Sequence, residues 1–191
     1  KDTLASETAK FTLLPVAKVL MPDGSREVVP GSGEVGMVAQ GGMVPLGYYK
    51  DPEKSAKTFK EVDGKRYAFI GDMATVEADG TINLLGRGSN CINTGGEKVF
   101  PEEVEEALKL HADVADALVF GLEDERFGNR VAGIVSLEQG GTAEAGDILE
   151  ATRKLLASYK LPKDLLVVPV VPRAPNGKAD YKTAKSMIAG D

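Results

Sequence analysis

A chain of 191 residues with 42% apolar and 27% charged side chains has the balance of a globular protein, built as one domain or two small ones. Its 23 Lys and Arg against 29 Asp and Glu give a net charge of -6 without any basic run, which argues against nucleic acid as a partner. One cysteine, Cys91, and one histidine, His111, exclude an internal disulfide and a Cys/His zinc cluster, and leave a Ser-His-Asp triad only one candidate base, which the pattern puts on a helix surface.

The chain opens on "KDTLASE", with no initiator Met and no apolar signal core, and no apolar run approaches the length of a membrane span. It reads as cytoplasmic and as cut from a larger chain. From residue 11 to 85, short β-like runs alternate with turn signals: "TLLPVAKVLM" before Pro22-Asp23-Gly24, "REVV" before Pro30-Gly31, and "EVGMVAQ" before Gly41-Gly42. This spacing predicts a small barrel or sandwich. A helical interlude, "DPEKSAKTF", follows, with Asp51 suited to the cap and Pro52 to the first turn. "KRYAFIGDMATVEADGTINLLGR" then predicts two strands joined by a tight hairpin at Asp79-Gly80.

Past Gly86 helices alternate with strands. Pro101 at a helix start, Glu102 and Glu103 in its first turn, and Val104, Ala107 and Leu108 on one face make "PEEVEEALKLH" an amphipathic helix. Strands "VADALVFGL" and "RVAGIVSLE" come next, then a helix over "AGDILEATRKLLASYK" with Ile148, Thr152, Leu155 and Leu156 stacked. "DLLVVPVV" reads as a strand whose Pro169 points to an edge or a bulge, and "PRAPNGKADY" as a turn-rich lead into a terminal helix. The expected architecture is mixed α/β. A β-rich, barrel-like subdomain spans residues 1–86, a hinge residues 87–90, and an α+β domain residues 91–191.

Several motifs compete for a chemical reading. Gly31-Ser32-Gly33-Glu34-Val35-Gly36 fits GxGxxG, but Pro30 precedes it and no helix pattern follows, so these glycines read as turn formers and not as a dinucleotide site. The pattern GxxxxGK[ST] is absent. Asp72 ends one hairpin strand and Arg87 ends its partner, which brings a carboxylate and a guanidinium to one rim; a plain strand-end ion pair fits these residues equally well. Gly95-Gly96, upstream of the helix at Pro101, either admits a ligand close to the backbone or makes a turn. Lys178 follows an Asn176-Gly177 turn, where an ammonium can reach phosphate or carboxylate oxygens or simply be solvated.

Taken in order, "GEVGMVAQGGMVPLGYYKDPEKSAKTF", "YAFIGD", "GRGSNCINTGGEKVFPEEVEEAL" and "PRAPNGKADY" resemble the closing motifs of the adenylate-forming superfamily, which holds acyl-CoA synthetases, aryl-CoA ligases, luciferases and peptide-synthetase adenylation domains. The wording "RGSNCINTGGEKVFPEEVE" is most similar to that of actinobacterial fatty-acyl and steroid-side-chain CoA ligases. The resemblance covers nearly the whole chain and implies its place as the C-terminal third of such an enzyme. The phosphate loop, adenine site and acyl pocket lie upstream in the family, so the 191 residues are expected to be inactive alone.

What the resemblance implies is a two-step ligation in lipid metabolism that uses ATP, releases AMP and joins a fatty or steroid-side-chain acid to coenzyme A. Magnesium would be held mainly by the upstream part, and no metal ligand is assigned here. Asp72 and Arg87 would bind the nucleotide ribose, and Lys178 would act in adenylation. Gly88-Ser89 would be the hinge, and Gly95-Gly96 would line the coenzyme A passage after a domain swing. Self-association is left open. The chain departs from the family at Ser89, commonly Asp or Lys, at Asn90, often Asp, and at Ile70, usually Thr. Two alternatives stand beside this reading, a non-catalytic module of the same fold and an amino-acid-activating adenylation domain.

Overall fold

The computed structural model describes residues 10–190. The opening "KDTLASE", on which the reading of a chain without a signal core rests, lies outside the described residues. The chain divides into two compact units, Lys1–Ser89 and Asn90–Asp191.

In the first unit, strands β1 (Lys10–Phe11), β2 (Ala17–Leu20), β3 (Gly36–Gln40), β4 (Phe59–Val62), β5 (Lys65–Val76) and β6 (Ile82–Arg87) form one antiparallel sheet. Its order is β1-β6-β5-β3-β2, with β4 also on β5. Successive side chains of a strand point to opposite faces, so neighbours enter different cores. Val19 and Val38 join Val28, Ala74 and Ile82, whereas Leu20 and Ala39 join Val62, Tyr67 and Phe69. "REVV" forms no strand, only an isolated bridge between Leu20 and Glu27. Gly31 occupies a turn, as expected, and both Gly31 and Gly33 take positive φ. Gly36 has a different reason: a Cβ there would lie 2.5 Å from Val28 and 2.6 Å from Val19, so only hydrogen fits.

Helix α1 (Pro52–Thr58) begins as read, with the Asp51 carboxylate accepting from the Lys54 N–H at 2.9 Å. The β5–β6 connection is looser than the expected two-residue turn. Glu77 N–H donates to the Thr81 carbonyl at 2.8 Å and Gly80 N–H to the Glu77 carbonyl at 3.0 Å, and Gly80 alone takes positive φ. This is a three-residue loop with a left-handed glycine. The two-residue Asp-Gly turn lies elsewhere, at Asp63-Gly64 between β4 and β5, where φ is 50° and 70°.

The second unit begins with β7 (Ile92–Thr94) and β8 (Glu97–Val99), a two-stranded hairpin that leads into α2 (Pro101–Lys109). Strands β9 (Val114–Asp124) and β10 (Gly128–Leu137) pair antiparallel, and β11 (Asp164–Val167) adds parallel to β10. The strand read over "DLLVVPVV" ends at Val167, before Pro169, and lies on a sheet edge, as expected from its proline. On one face of this sheet Val119, Val131 and Val135 pack with Val104 and Leu108 of α2 and with Ile148 of α3 (Ala145–Thr152). On the other, Leu118, Phe120 and Ile134 pack with Ala184 of α4 (Tyr181–Ala189).

Helix α3 is half the expected length. Thr152 Oγ1 donates to the Ile148 carbonyl at 2.7 Å, a back-bond that loosens a helix, and the chain tightens into i→i+3 turns from Ala151 onward. Leu155 is consequently 45% exposed and leaves the stack. His111 also departs from expectation: α2 stops at Lys109, and the Nδ1 of His111 accepts from the Asp113 N–H at 3.2 Å in the following turn.

Leu108 is fully buried between α2 and the sheet. Leu108→Ala is expected to lower unfolding free energy by about 2–5 kcal/mol in urea titration of the 191-residue chain, the range for a buried leucine cavity.

Candidate functional site

In the first unit, β5 and β6 run back from their loop until the register sets Asp72 opposite Arg87. Arg87 Nε lies 3.0 Å from Asp72 Oδ1, and Arg87 Nη1 donates to the Ile70 carbonyl at 3.3 Å. Partners shift from Met73 with Gly86 to Ala74 with Leu84, so Leu85 is an extra residue that twists the end of the hairpin. The Asp72 side chain remains 35% exposed and that of Arg87 60%. The two residues predicted to share a rim are therefore in direct contact, with the carboxylate still reachable from solvent. Ile70 enters only through its backbone, which explains why a threonine is dispensable for this contact.

A single 3-10 turn, Gly88–Asn90, follows β6. Gly88 keeps a negative φ. Asn90 is already bonded into the second unit, its Nδ2 donating to the Tyr181 hydroxyl at 3.5 Å and to a Glu102 carboxylate oxygen at 3.4 Å.

The glycine pair is the tip of the β7–β8 hairpin. Thr94 pairs with Glu97, and Gly95 and Gly96 take φ of 58° and 91° between them. Two consecutive left-handed residues define the turn type that matches strand twist, and glycine adopts it without Cβ strain. That turn accounts for both glycines. The two are not equivalent, however. Gly95 N–H donates to the Phe127 carbonyl at 3.0 Å, and a Cβ on Gly95 would lie 3.1 Å from the Phe127 ring, whereas one on Gly96 would meet nothing within 4 Å. One side of the tip is thus docked on the β9–β10 turn, and the other is open.

Lys178 also stands at a hairpin tip. Ala174 N–H donates to the Lys178 carbonyl at 2.8 Å, Gly177 N–H to the Ala174 carbonyl at 2.8 Å, and Gly177 has φ 78°. Asn176 Oδ1 accepts from the Lys178 N–H at 3.1 Å. The side chain is exposed and its ammonium makes no ion pair among the described residues.

Behind this hairpin lies a polar cluster that sequence reasoning missed. Arg173 grips Asp116 through two bonds, Nε to Oδ2 at 2.8 Å and Nη2 to Oδ1 at 2.7 Å, and this guanidinium holds the Asp116 carboxyl below its usual range. Glu105, on α2, accepts from the Val119 N–H at 2.9 Å. Burial pushes its carboxyl up to about 7 against the lowering effect of that bond. Burial, and then the Glu105 and Glu102 carboxylates, raise the Tyr181 hydroxyl. Cys91 is partly buried, which raises its thiol. Among the described residues no group of three or more His, Cys, Asp or Glu could hold a metal ion, and no helix is long and apolar enough to cross a membrane.

Residues 103–178 match the family model of the AMP-binding enzyme C-terminal domain. That match lies wholly within the second unit. It is 51% identical over 166 residues to a 3-oxocholest-4-en-26-oate–CoA ligase of Rhodococcus rhodochrous, which covers 87% of this chain but 30% of that ligase. A medium/long-chain-fatty-acid–CoA/3-oxocholest-4-en-26-oate–CoA ligase of Mycolicibacterium smegmatis is 50% identical over 169 residues, covering 88% of this chain and 31% of the ligase. Among solved structures, the amide bond synthetase McbA of Marinactinospora thermotolerans superposes with a TM-score of 0.80 at 27% identity, over 94% of this chain and 36% of that one. The chain therefore spans about a third of the length of the relatives it matches. Lys178 is the last residue of the matched AMP-binding C-terminal domain, and Gly95-Gly96 precede the match.

Glu105 gives this domain a measurable pH signature. Its folded-state carboxyl titrates at about 7 against an ordinary 4.5, so between those values the folded state holds a proton that the unfolded state has lost, and stability falls as pH rises through this window. Glu105→Gln keeps the acceptor for Val119 and removes the titration. The stability of the variant relative to the parent is expected to rise between pH 5 and pH 8 by on the order of 3 kcal/mol, read from paired urea titrations of the 191-residue chain.

Proposed function

We propose that this chain is the C-terminal part of an ATP-dependent, AMP-forming acyl-CoA ligase whose substrate is a fatty or steroid-side-chain carboxylic acid. The observation that carries the reading is the roughly half identity, over nearly nine-tenths of the chain, to ligases named for those acids. In the first step a carboxylate oxygen attacks the α-phosphorus of ATP, and the bond to the leaving pyrophosphate breaks. In the second, the sulfur of coenzyme A attacks the acyl carbon, and AMP leaves.

The residues present fit these roles. Asp72 offers an exposed carboxylate fixed by Arg87, the kind of acceptor that suits the vicinal hydroxyls of a ribose. Lys178 offers a compact, exposed charge on a hydrogen-bonded turn, suited to oxygens that gain negative charge as the adenylate forms. The open side of Gly96 gives a thiol-bearing arm a path along bare backbone. Gly88-Ser89 is the pivot on which an exchange of these two tips would depend, and a hinge needs permissive torsions more than a particular charge. Magnesium is taken to arrive with ATP, and no ligand for it is assigned to this chain.

The test is made on the full-length protein, with dodecanoate as the carboxylate and dodecanoyl-adenylate as the preformed intermediate. Lys178→Ala is expected to slow ATP–pyrophosphate exchange by on the order of 10² or more, the scale of one preorganised charge-stabilising donor, and to spare thioester formation from the adenylate. A variant that adenylates at the parental rate would show Lys178 to be an ordinary solvated lysine and would sink the catalytic assignment. Exchange absent in the parent with dodecanoate and with 3-oxocholest-4-en-26-oate alike would instead sink the substrate class.

Ser89→Pro fixes φ near -65° at the pivot. One half-reaction is expected to survive while the other collapses in a protein that still melts cooperatively. Equal loss of both would place the hinge elsewhere.

A further inference from the structure

The segment between β11 and α4 has little of its own to hold it. Val168 and Val171 are buried at one end and Ala184 at the other, and between them the Lys178 hairpin is closed by a single bridge, Arg173 with Ala179. A two-stranded hairpin in water is marginal without something to pack on. The Asp180 N–H donates to the Pro172 carbonyl at 3.2 Å, which closes the base of the hairpin but ties it to nothing outside itself.

Ala179 packs on the apolar core under α4, and the polar tie to the sheet is Arg173. Its guanidinium forks onto Asp116 of β9 at 2.7 and 2.8 Å, and its Nη1 extends to the carbonyl of Gly177, the residue before Lys178, at 3.5 Å. Asp116 lies on a strand whose next four residues, Ala117 to Phe120, are all buried, and its Oδ1 also accepts from the Ala117 N–H at 2.9 Å. The planar fork thus transmits the position of a buried strand to a hairpin tip. A planar bidentate pair fixes direction as well as distance, which a lysine ammonium does not.

We propose that Arg173 and Asp116 form a positioning pair for Lys178, setting where its ammonium stands without touching the reacting atoms. The proposal rests on the reading of Lys178 as the adenylation lysine. It gives the pair a purpose that stability does not. With side chains 40% and 31% exposed, the pair belongs to a class of ion pairs that add little to folding.

The experiment uses the full-length protein with dodecanoate, and the variants Asp116→Asn, which keeps the shape, and Arg173→Lys, which keeps the charge but loses the fork. Each is expected to lower the kcat of ATP–pyrophosphate exchange by about 10- to 100-fold, the scale of a misplacement near 1 Å, with KM for dodecanoate changed by less than about twofold. Thioester formation from dodecanoyl-adenylate is expected to stay within about twofold of the parent. In the Lys178→Ala background neither substitution is expected to reduce exchange further, because there is no ammonium left to position. Unchanged exchange in both variants, equal loss of both half-reactions, or a further loss on top of Lys178→Ala would each overturn the positioning role. The reading of Lys178 itself is judged separately, by Lys178→Ala alone. Should Arg173→Lys melt early, the near-isosteric Asp116→Asn decides the question.

Discussion

The second unit is organised by the burial of both faces of one strand pair. In β10 the run from Val131 to Ser136 is buried throughout, and β9 is buried continuously from Ala117 to Phe120. Alternate residues therefore need cover on opposite sides, which α2 and α3 supply on one face and α4 on the other. Each covered valine, leucine or isoleucine contributes about 1.5–3 kcal/mol. Both candidate tips lean on this strand pair. The Gly95-Gly96 turn bonds to the β9–β10 loop through Phe127, and the Lys178 hairpin is tied to the start of β9 through Asp116.

Stability does not require the polar contacts at these tips. Partly exposed pairs such as Asp72–Arg87 and Asp116–Arg173 each contribute about 0–1 kcal/mol. The cores beneath them are apolar and carry most of the folding free energy. The chain thus separates two tasks: buried aliphatic layers hold the strands, and the strand ends and turns hold charges at their rims. Glu105 crosses this division. Its carboxylate satisfies an N–H on the edge of β9 from a partly buried site, at the cost of a raised titration point.

Legibility in the sequence followed the range of each interaction. Helix α2 could be read because Pro101, Glu102 and the Val104, Ala107, Leu108 stripe are local signals, and α1 because Asp51-Pro52 is a cap. Asp72 met Arg87 because a hairpin fixes its own register. The Asp63-Gly64 turn is equally local, but the helical reading of "DPEKSAKTF" takes in Phe59, the first residue of β4, and without that strand no hairpin shows. The length of α3 was misjudged because apolar spacing continues past Thr152 while the backbone does not. Arg173 and Asp116 are 57 residues apart, and nothing near either residue announces the other.

The glycine pair shows how a structural explanation and a chemical one can share the same residues. Both glycines are required by the turn, since each has positive φ, so their presence alone says nothing about a ligand. What distinguishes them is the space around each. Gly95 is pressed against Phe127, and a side chain there would displace the ring or the hairpin. At Gly96 a side chain would meet no atom, so the backbone on that side of the tip is bare to solvent by geometry and not by packing. The asymmetry gives the tip a fixed side and a free side.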